Sequence, residues 1–230
     1  MIETTSQQAL AHRLAVIRER IADACGRARR PADSVELIAV TKLHPAETLQ
    51  LCIDCGVKHL GENRVGEIVE KVPRLRGEFT MHCIGHLQTN KVAKVLPFIQ
   101  MLQSVDRVRL IESLERHLPE GSRLPVLVEV NTSGEASKSG CRAQDSGALI
   151  ERMLSEERLL PSGYMTIGPL GGGERQTREA FSLLRETAEA NRDLIPTPAL
   201  SMGMSGDFEW AIEEGATMVR IGTLLVGERR

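Results

Sequence analysis

A short run of β-branched and apolar residues, a polar or glycine-containing turn, then a stretch of helical periodicity: this unit recurs along the chain and constrains its fold more than any other feature. The strand-like runs are V-E-L-I-A-V-T at 35–41, K-H-L-G at 58–61, M-H-C-I-G at 81–85 and M-L-Q-S-V at 101–105. They continue with P-V-L-V-E-V-N at 125–131, G-Y-M-T-I at 163–167, A-L-S-M-G at 199–203 and M-V-R-I-G-T at 218–223. Helical stripes lie between them, as at Val65, Ile68, Val69 and Val72, or Val92, Val95, Leu96 and Ile99. Strands that alternate with helices pair in parallel, because a parallel crossover needs the intervening helix. Several runs are apolar almost throughout, as strands covered on both faces are. Eight such units predict a single (β/α)8 TIM-type barrel over 1–230, with an open doubly wound sheet as the rival. A helix precedes the first strand. Leu10, Leu14, Ile17 and Ile21 form its apolar stripe, Arg27, Arg29 and Arg30 crowd its end, and Pro31 stops it.

Composition narrows the function. At 41% hydrophobic and 26% charged the chain can bury a full core, and its net charge is -2. With 3% aromatics and no basic run, a nucleic-acid surface is not expected. No apolar run approaches the roughly 20 residues of a membrane span, and M-I-E-T-T-S-Q-Q lacks the pattern of a signal peptide, so a cytoplasmic protein is expected. Five scattered cysteines do not make a disulfide framework. Cys52-x-x-Cys55 has no second pair, and His82, Cys83 and His86 lack a diagnostic spacing, so no metal is expected.

In such a barrel the chemistry sits at the C-terminal ends of the strands. The first run ends in Lys42, which shares a face with Ile38 and Val40 by period-two alternation. Desolvation disfavours the charged amine there, and a neutral lysine can condense with an aldehyde; a lysine that only snorkels outward is the plainer alternative. Ser201-Met-Gly-Met-Ser205-Gly-Asp207 precedes a short helix at 208–214, and Gly222-Thr223 is a second small, donor-rich turn. In the first, Ser205 or Asp207 could be an ordinary cap, but two such turns after strands 7 and 8 suit a phosphate. Arg220 lies within an apolar run and needs an acceptor, either an interior carboxylate such as Glu129 or a ring nitrogen of a cofactor. Glu62 reads as a cap for the helix at 64–72. The loop T-S-G-E-A-S-K-S-G at 132–140 reads as mobile, with Lys138 as a possible phosphate attractor if it acts as a lid.

Together these segments resemble the pyridoxal phosphate homeostasis protein family, which has the alanine-racemase-type (fold type III) barrel. The matching stretches are L-I-A-V-T-K at 37–42, G-E-N-R at 61–64, I-G-H-L-Q-T-N-K at 84–91 and S-V-D-R at 104–107. V-N-T-S-G-E-A-S-K-S-G at 130–140, M-T-I-G-P at 165–169, L-S-M-G-M-S-G-D at 200–207 and M-V-R-I-G-T at 218–223 follow in order. The resemblance implies pyridoxal 5′-phosphate (PLP) as a Schiff base on Lys42. It implies phosphate contacts from Ser205, Gly222 and Thr223, Arg220 at the pyridine nitrogen, and Asn63 beside the ring. Met81 and Cys83 depart from the aromatics that the family often has before I-G-H-L-Q, which predicts looser packing there.

An arginine at the ring nitrogen weakens the electron sink that PLP enzymes use. Racemases of this fold add a C-terminal β-domain and a tyrosine base, whereas this sequence stops soon after its last strand and has one tyrosine, Tyr164. The reading is a non-catalytic PLP carrier, monomer or weak dimer, with PLP-requiring apo-enzymes as recipients. A weak PLP-dependent racemase and a Schiff-base aldolase without PLP are the alternatives.

Overall fold

The computed structural model describes residues 6–135 and 137–228. Helix α1 (Gln7–Arg27) leads into β1 (Glu36–Val40), α2 (Ala46–Asp54), β2 (His59–Glu62), α3 (Val65–Lys71) and β3 (Thr80–Cys83). Then come α4 (Val92–Val95), β4 (Met101–Val105), α5 (Val108–His117), β5 (Leu124–Glu129) and α6 (Ser146–Leu154). The chain continues through β6 (Leu159–Met165), α7 (Glu174–Ala190), β7 (Ala199–Met204), α8 (Phe208–Glu213), β8 (Met218–Ile221) and α9 (Thr223–Val226). The strands close in sequence order, all parallel, and β8 pairs back onto β1 with Arg220 level with Ile38. Closure decides for the barrel and against the open sheet.

Alternation along each strand sorts side chains into two layers. Ala39, Leu60, Leu102, Val126, Val128, Tyr164 and Val219 point outward into a continuous core shared with the helices. Ile38, Leu127, Met165 and Met218 form a small apolar cluster inside the barrel. The interior is otherwise polar: His82, Gln103 and Ser201 are buried on β3, β4 and β7. Met81 and Cys83 belong to the outer core at 0% and 1% exposure, so the expected loosening near β3 is absent.

Two strand boundaries differ from the sequence reading in an instructive way. Strand β6 starts four residues earlier than expected, because Pro161 and Gly163 hide it. Gly163 has φ +148, and a Cβ there would lie 2.1 Å from the Ala199 carbonyl oxygen, so the β6–β7 contact requires glycine. Strand β8 stops at Ile221, two residues earlier than expected, and Gly222 (φ -107, ψ -91) turns the chain into α9.

Helix α1 is capped by Ser6, whose hydroxyl accepts from the Ala9 N–H at 3.2 Å, and buries the predicted stripe. It packs on α8 and α9, the elements that follow β7 and β8. Arg13 Nε donates to the Leu225 carbonyl at 2.6 Å, and Arg30 Nη1 to that of Ile212 at 3.0 Å. Arg27 Nε also donates to Glu213 Oε1 at 2.6 Å, so Arg27 and Arg30 of the cluster expected to suit the helix end bond to the end of α8, while Arg13 holds α9.

Candidate functional site

The C-terminal rim gathers the residues singled out from sequence. Lys42 is half-buried in the turn after β1, and Asn63 is half-buried immediately after β2. The β1–β2 register pairs Val40 with Gly61, and Lys42 and Asn63 each follow that pair by two residues, on the turns that leave the two adjacent strands. On the other flank of β1 come β8 and Gly222. Across from it, the Ser205 hydroxyl accepts from the backbone N–H of Gly222 at 3.3 Å and of Leu224 at 3.4 Å. Thr223 is exposed beside them. The Asp207 side chain caps nothing in α8; it accepts from the Met204 N–H at 2.5 Å and holds the 204–207 turn closed.

Gly85 seals the floor next to Asn63. A Cβ there would lie 2.2 Å from the Asn63 carbonyl oxygen, so only glycine lets these two backbones meet. Asn63 Oδ1 is buried and has no hydrogen-bond partner, and an orphaned acceptor of this kind wants a ligand donor.

Arg220 is 4% exposed. Its Nη1 donates to Ser201 Oγ and its Nη2 to the Thr166 carbonyl, each at 2.7 Å. The ion pair with Glu129 offered as one alternative is not formed. Burial lowers the guanidinium to about 10, against the pull of Asp207 and Glu129, and it stays charged at neutral pH.

Glu62 does not cap α3, whose N-cap position is Arg64. It is fully buried and accepts from Thr41 Oγ1 at 2.9 Å and from Lys71 Nζ at 2.8 Å. Lys71 also pairs with Glu67 at 2.5 Å, and Glu67 accepts from the Leu43 N–H at 2.7 Å. Leu43 has φ 66, a left-handed conformation that costs a branched residue about 1–3 kcal/mol. This buried network grips the turn on both sides of Lys42. Nothing in the spacing of Glu62, Glu67 and Lys71 beyond an i, i+4 pair announces it.

Lys138 donates to the Gly168 carbonyl at 2.8 Å and pairs with Glu135 at 2.6 Å, while Asn131 Nδ2 reaches the Glu135 carbonyl at 2.9 Å. These contacts bond Asn131, Glu135 and Lys138 of the described residues to one another and turn the lysine toward the loop after β6.

Glu129, at the end of β5, is 5% exposed, and its Oε2 has no partner. Burial, reinforced by Asp106 and opposed by Arg220 and Arg107, pushes its carboxyl up to about 7 from 4.5. The folded state therefore favours the protonated acid. That contribution is complete below the unfolded value and is lost as pH rises through about 7. Glu129→Gln is expected to be the more stable protein at about pH 8, by roughly 3 kcal/mol, with the difference closing toward about pH 5. Urea unfolding at both values checks this; a gap independent of pH would show that the carboxylate is compensated in the fold.

Tyr164 settles a different question. It is fully buried in the outer core, away from the lumen, and burial pushes its phenol up to about 12. It cannot serve as a base at the rim.

The chain matches the model of the alanine racemase N-terminal domain over residues 6–230. It is 40% identical to the pyridoxal phosphate homeostasis protein of Aquifex aeolicus, over 95% of this chain and 97% of that one. It is 37% identical to the human protein of the same name, over 94% and 85%. PipY of Synechococcus elongatus with PLP bound superposes with a TM-score of 0.82 at 33% identity, over 95% of this chain and all of that one. Alanine racemase from Corynebacterium glutamicum shares the fold, with a TM-score of 0.71 at 15% identity, over 95% of this chain and 60% of the racemase.

Proposed function

Because the chain belongs to the pyridoxal phosphate homeostasis protein family, we propose that it binds PLP at the C-terminal rim and acts in PLP homeostasis as a carrier that performs no turnover of its own. Lys42 would hold the aldehyde as a Schiff base. Ser205, Gly222 and Thr223 would hold the phosphate, Arg220 would donate to the pyridine nitrogen, and Asn63 would lie against the ring.

The residues present fit that group. Two backbone N–H groups already converge on one oxygen, Ser205 Oγ, at the place where phosphate oxygens would arrive. Asn63 Oδ1 is an acceptor without a donor. Arg220 donates to Ser201 and Thr166 from two of its five N–H groups, and it has no acceptor role to offer. When bound, PLP supplies an aldehyde that captures amines and a ring that withdraws electrons. Arg220, only able to donate, would leave the ring nitrogen unprotonated and that withdrawal weak.

The observation that carries the non-catalytic reading is Tyr164. The one tyrosine of the sequence faces the helices and not the rim, so the two-base racemase is left without its second base. The binding unit is one barrel domain, which we place in the cytoplasm as a monomer or weak dimer that hands PLP to apo-enzymes. Among the described residues no helix is long and apolar enough to cross a membrane.

The test is spectroscopic. Purified protein supplied with PLP is expected to show the absorption band of a lysine Schiff base and no racemisation of L-amino acids. Turnover that depends on Lys42 would overturn the carrier reading. A colourless protein that traps a carbonyl substrate on borohydride would instead establish a PLP-independent aldolase.

A further inference from the structure

Below Arg220 the polar groups of the barrel interior touch one another in a continuous line. Arg220 Nη1 donates to Ser201 Oγ at 2.7 Å, and Ser201 Oγ donates to Gln103 Oε1 at 2.7 Å. Gln103 Nε2 lies 2.9 Å from His82 Nδ1, and His82 Nε2 lies 3.1 Å from His59 Nδ1. His59 Nε2 ends the line 3.9 Å from Glu36 Oε2. Glu36 and His59 are the first residues of β1 and β2, so the line runs from near the C-terminal rim to the opposite mouth. Ser201, Gln103 and His82 are at most 1% exposed.

We infer that Gln103 and His82 are positioning residues for Arg220, members of a one-way donor chain that starts at the guanidinium, ends at Glu36 and fixes the arginine from beneath. The direction follows from chemistry. A guanidinium only donates, so Ser201 Oγ accepts from it and directs its own proton to the Gln103 carbonyl. That turns the Gln103 amide nitrogen toward His82. A separate observation agrees: Met101 Sδ and Met218 Sδ each lie 3.8 Å from Gln103 Nε2, and thioether sulfurs accept hydrogen bonds but repel a carbonyl oxygen. His82 Nδ1 must then be bare and Nε2 protonated. His59 Nδ1 accepts in turn, and the last N–H faces the Glu36 carboxylate. A charged imidazole at His82 would set two N–H groups against each other, and burial, helped by His59, lowers His82 to about 3.

The chain gives a buried cation what a carboxylate usually gives. Aligned dipoles spread its charge toward Glu36, leaving the guanidinium rigid with N–H groups free for an acceptor above. The link to the cofactor rests on the proposed PLP site; the direction of the chain does not.

The first measurement therefore needs neither cofactor nor variant: ring-nitrogen NMR of the histidines at neutral pH. His82 is expected as the neutral tautomer with the proton on Nε2. In Gln103→Glu, where both oxygens accept, the proton is expected to move to Nδ1. A proton on Nδ1 of His82 in the unaltered protein, or a charged ring, would overturn the inference whatever PLP does. The second measurement uses the PLP-loaded protein. Gln103→Leu is expected to keep the Schiff-base band while binding PLP about tenfold more weakly, the effect of loosening one charge-assisted hydrogen bond. Gln103→Glu, which keeps an oxygen toward Ser201, is expected to recover most of that loss. Unchanged affinity in Gln103→Leu would remove the positioning role, whereas absence of PLP binding in every form would refute the proposed function and leave the tautomers as the test.

Discussion

Lys42→Ala is expected to lose the Schiff-base band completely while the barrel stays folded. Lys42 lies beyond the last hydrogen-bonded residue of β1, half-buried in a turn that Glu67 holds through the neighbouring Leu43 N–H. Removing its side chain leaves that grip and the Thr41–Glu62 bond in place. The fold is expected to persist because Lys42 is half-buried at the rim and lies outside the hydrophobic core. PLP should still associate through the phosphate turns and Arg220, but reversibly, and dialysis should remove it. Borohydride treatment of the unaltered protein should fix the cofactor on the peptide that contains Lys42. A band that survives the substitution would move the linkage to another amine and break the proposed assignment.

Lys71→Met should have the largest effect on the fold. Glu62 is fully buried, and burial pushes its carboxyl up despite the stabilising contact with Lys71. Taking away the ammonium strands that carboxyl in the protein interior, which costs about 3–5 kcal/mol when the charge is retained. For a chain of this size that corresponds to a fall in Tm on the order of 10 °C. Two consequences separate this from ordinary packing loss. The deficit should shrink as pH falls and Glu62 is protonated, and Glu62→Gln combined with Lys71→Met should restore most of the stability. The turn carrying Lys42 should also loosen, because Glu67 loses the partner that fixes it against the Leu43 N–H. A thermal scan showing a shift of about 1 °C or less at neutral pH would mean that Glu62 is already protonated in the fold.

The barrel and its rim were legible because they rest on local pattern. Alternation of strand and helix periods is a property of short windows; Lys42, Asn63 and Ser205 follow strand runs that the pattern marks, and Arg220, Gly222 and Thr223 lie within the last of them. Elements whose cause is distant were misread. The start of β6 was hidden by Pro161 and Gly163, residues explained by the contact of Gly163 with Ala199 across the sheet. Glu62 looked like a cap because its partner Lys71 lies nine residues on, across a helix. Glu129 was offered as a partner for Arg220, yet the arginine turns to Ser201 and Thr166, whose positions depend on the register of β6, β7 and β8. Gln103 drew no functional notice in sequence and His82 only as a metal ligand that was set aside, for a lone polar residue in a strand does not show which face it takes or what it meets.

The sequence by itself determined the eight parallel units, the extra helix before them, and the set of small, amide and cationic residues at one end, since periodicity and turn chemistry act over a few residues. Only the tertiary structure decided that β8 closes on β1, that Tyr164 faces the helices, and that one line of hydrogen bonds runs from Arg220 to Glu36. Each of those depends on strand tilt and register summed around a closed ring, and no local window carries that sum.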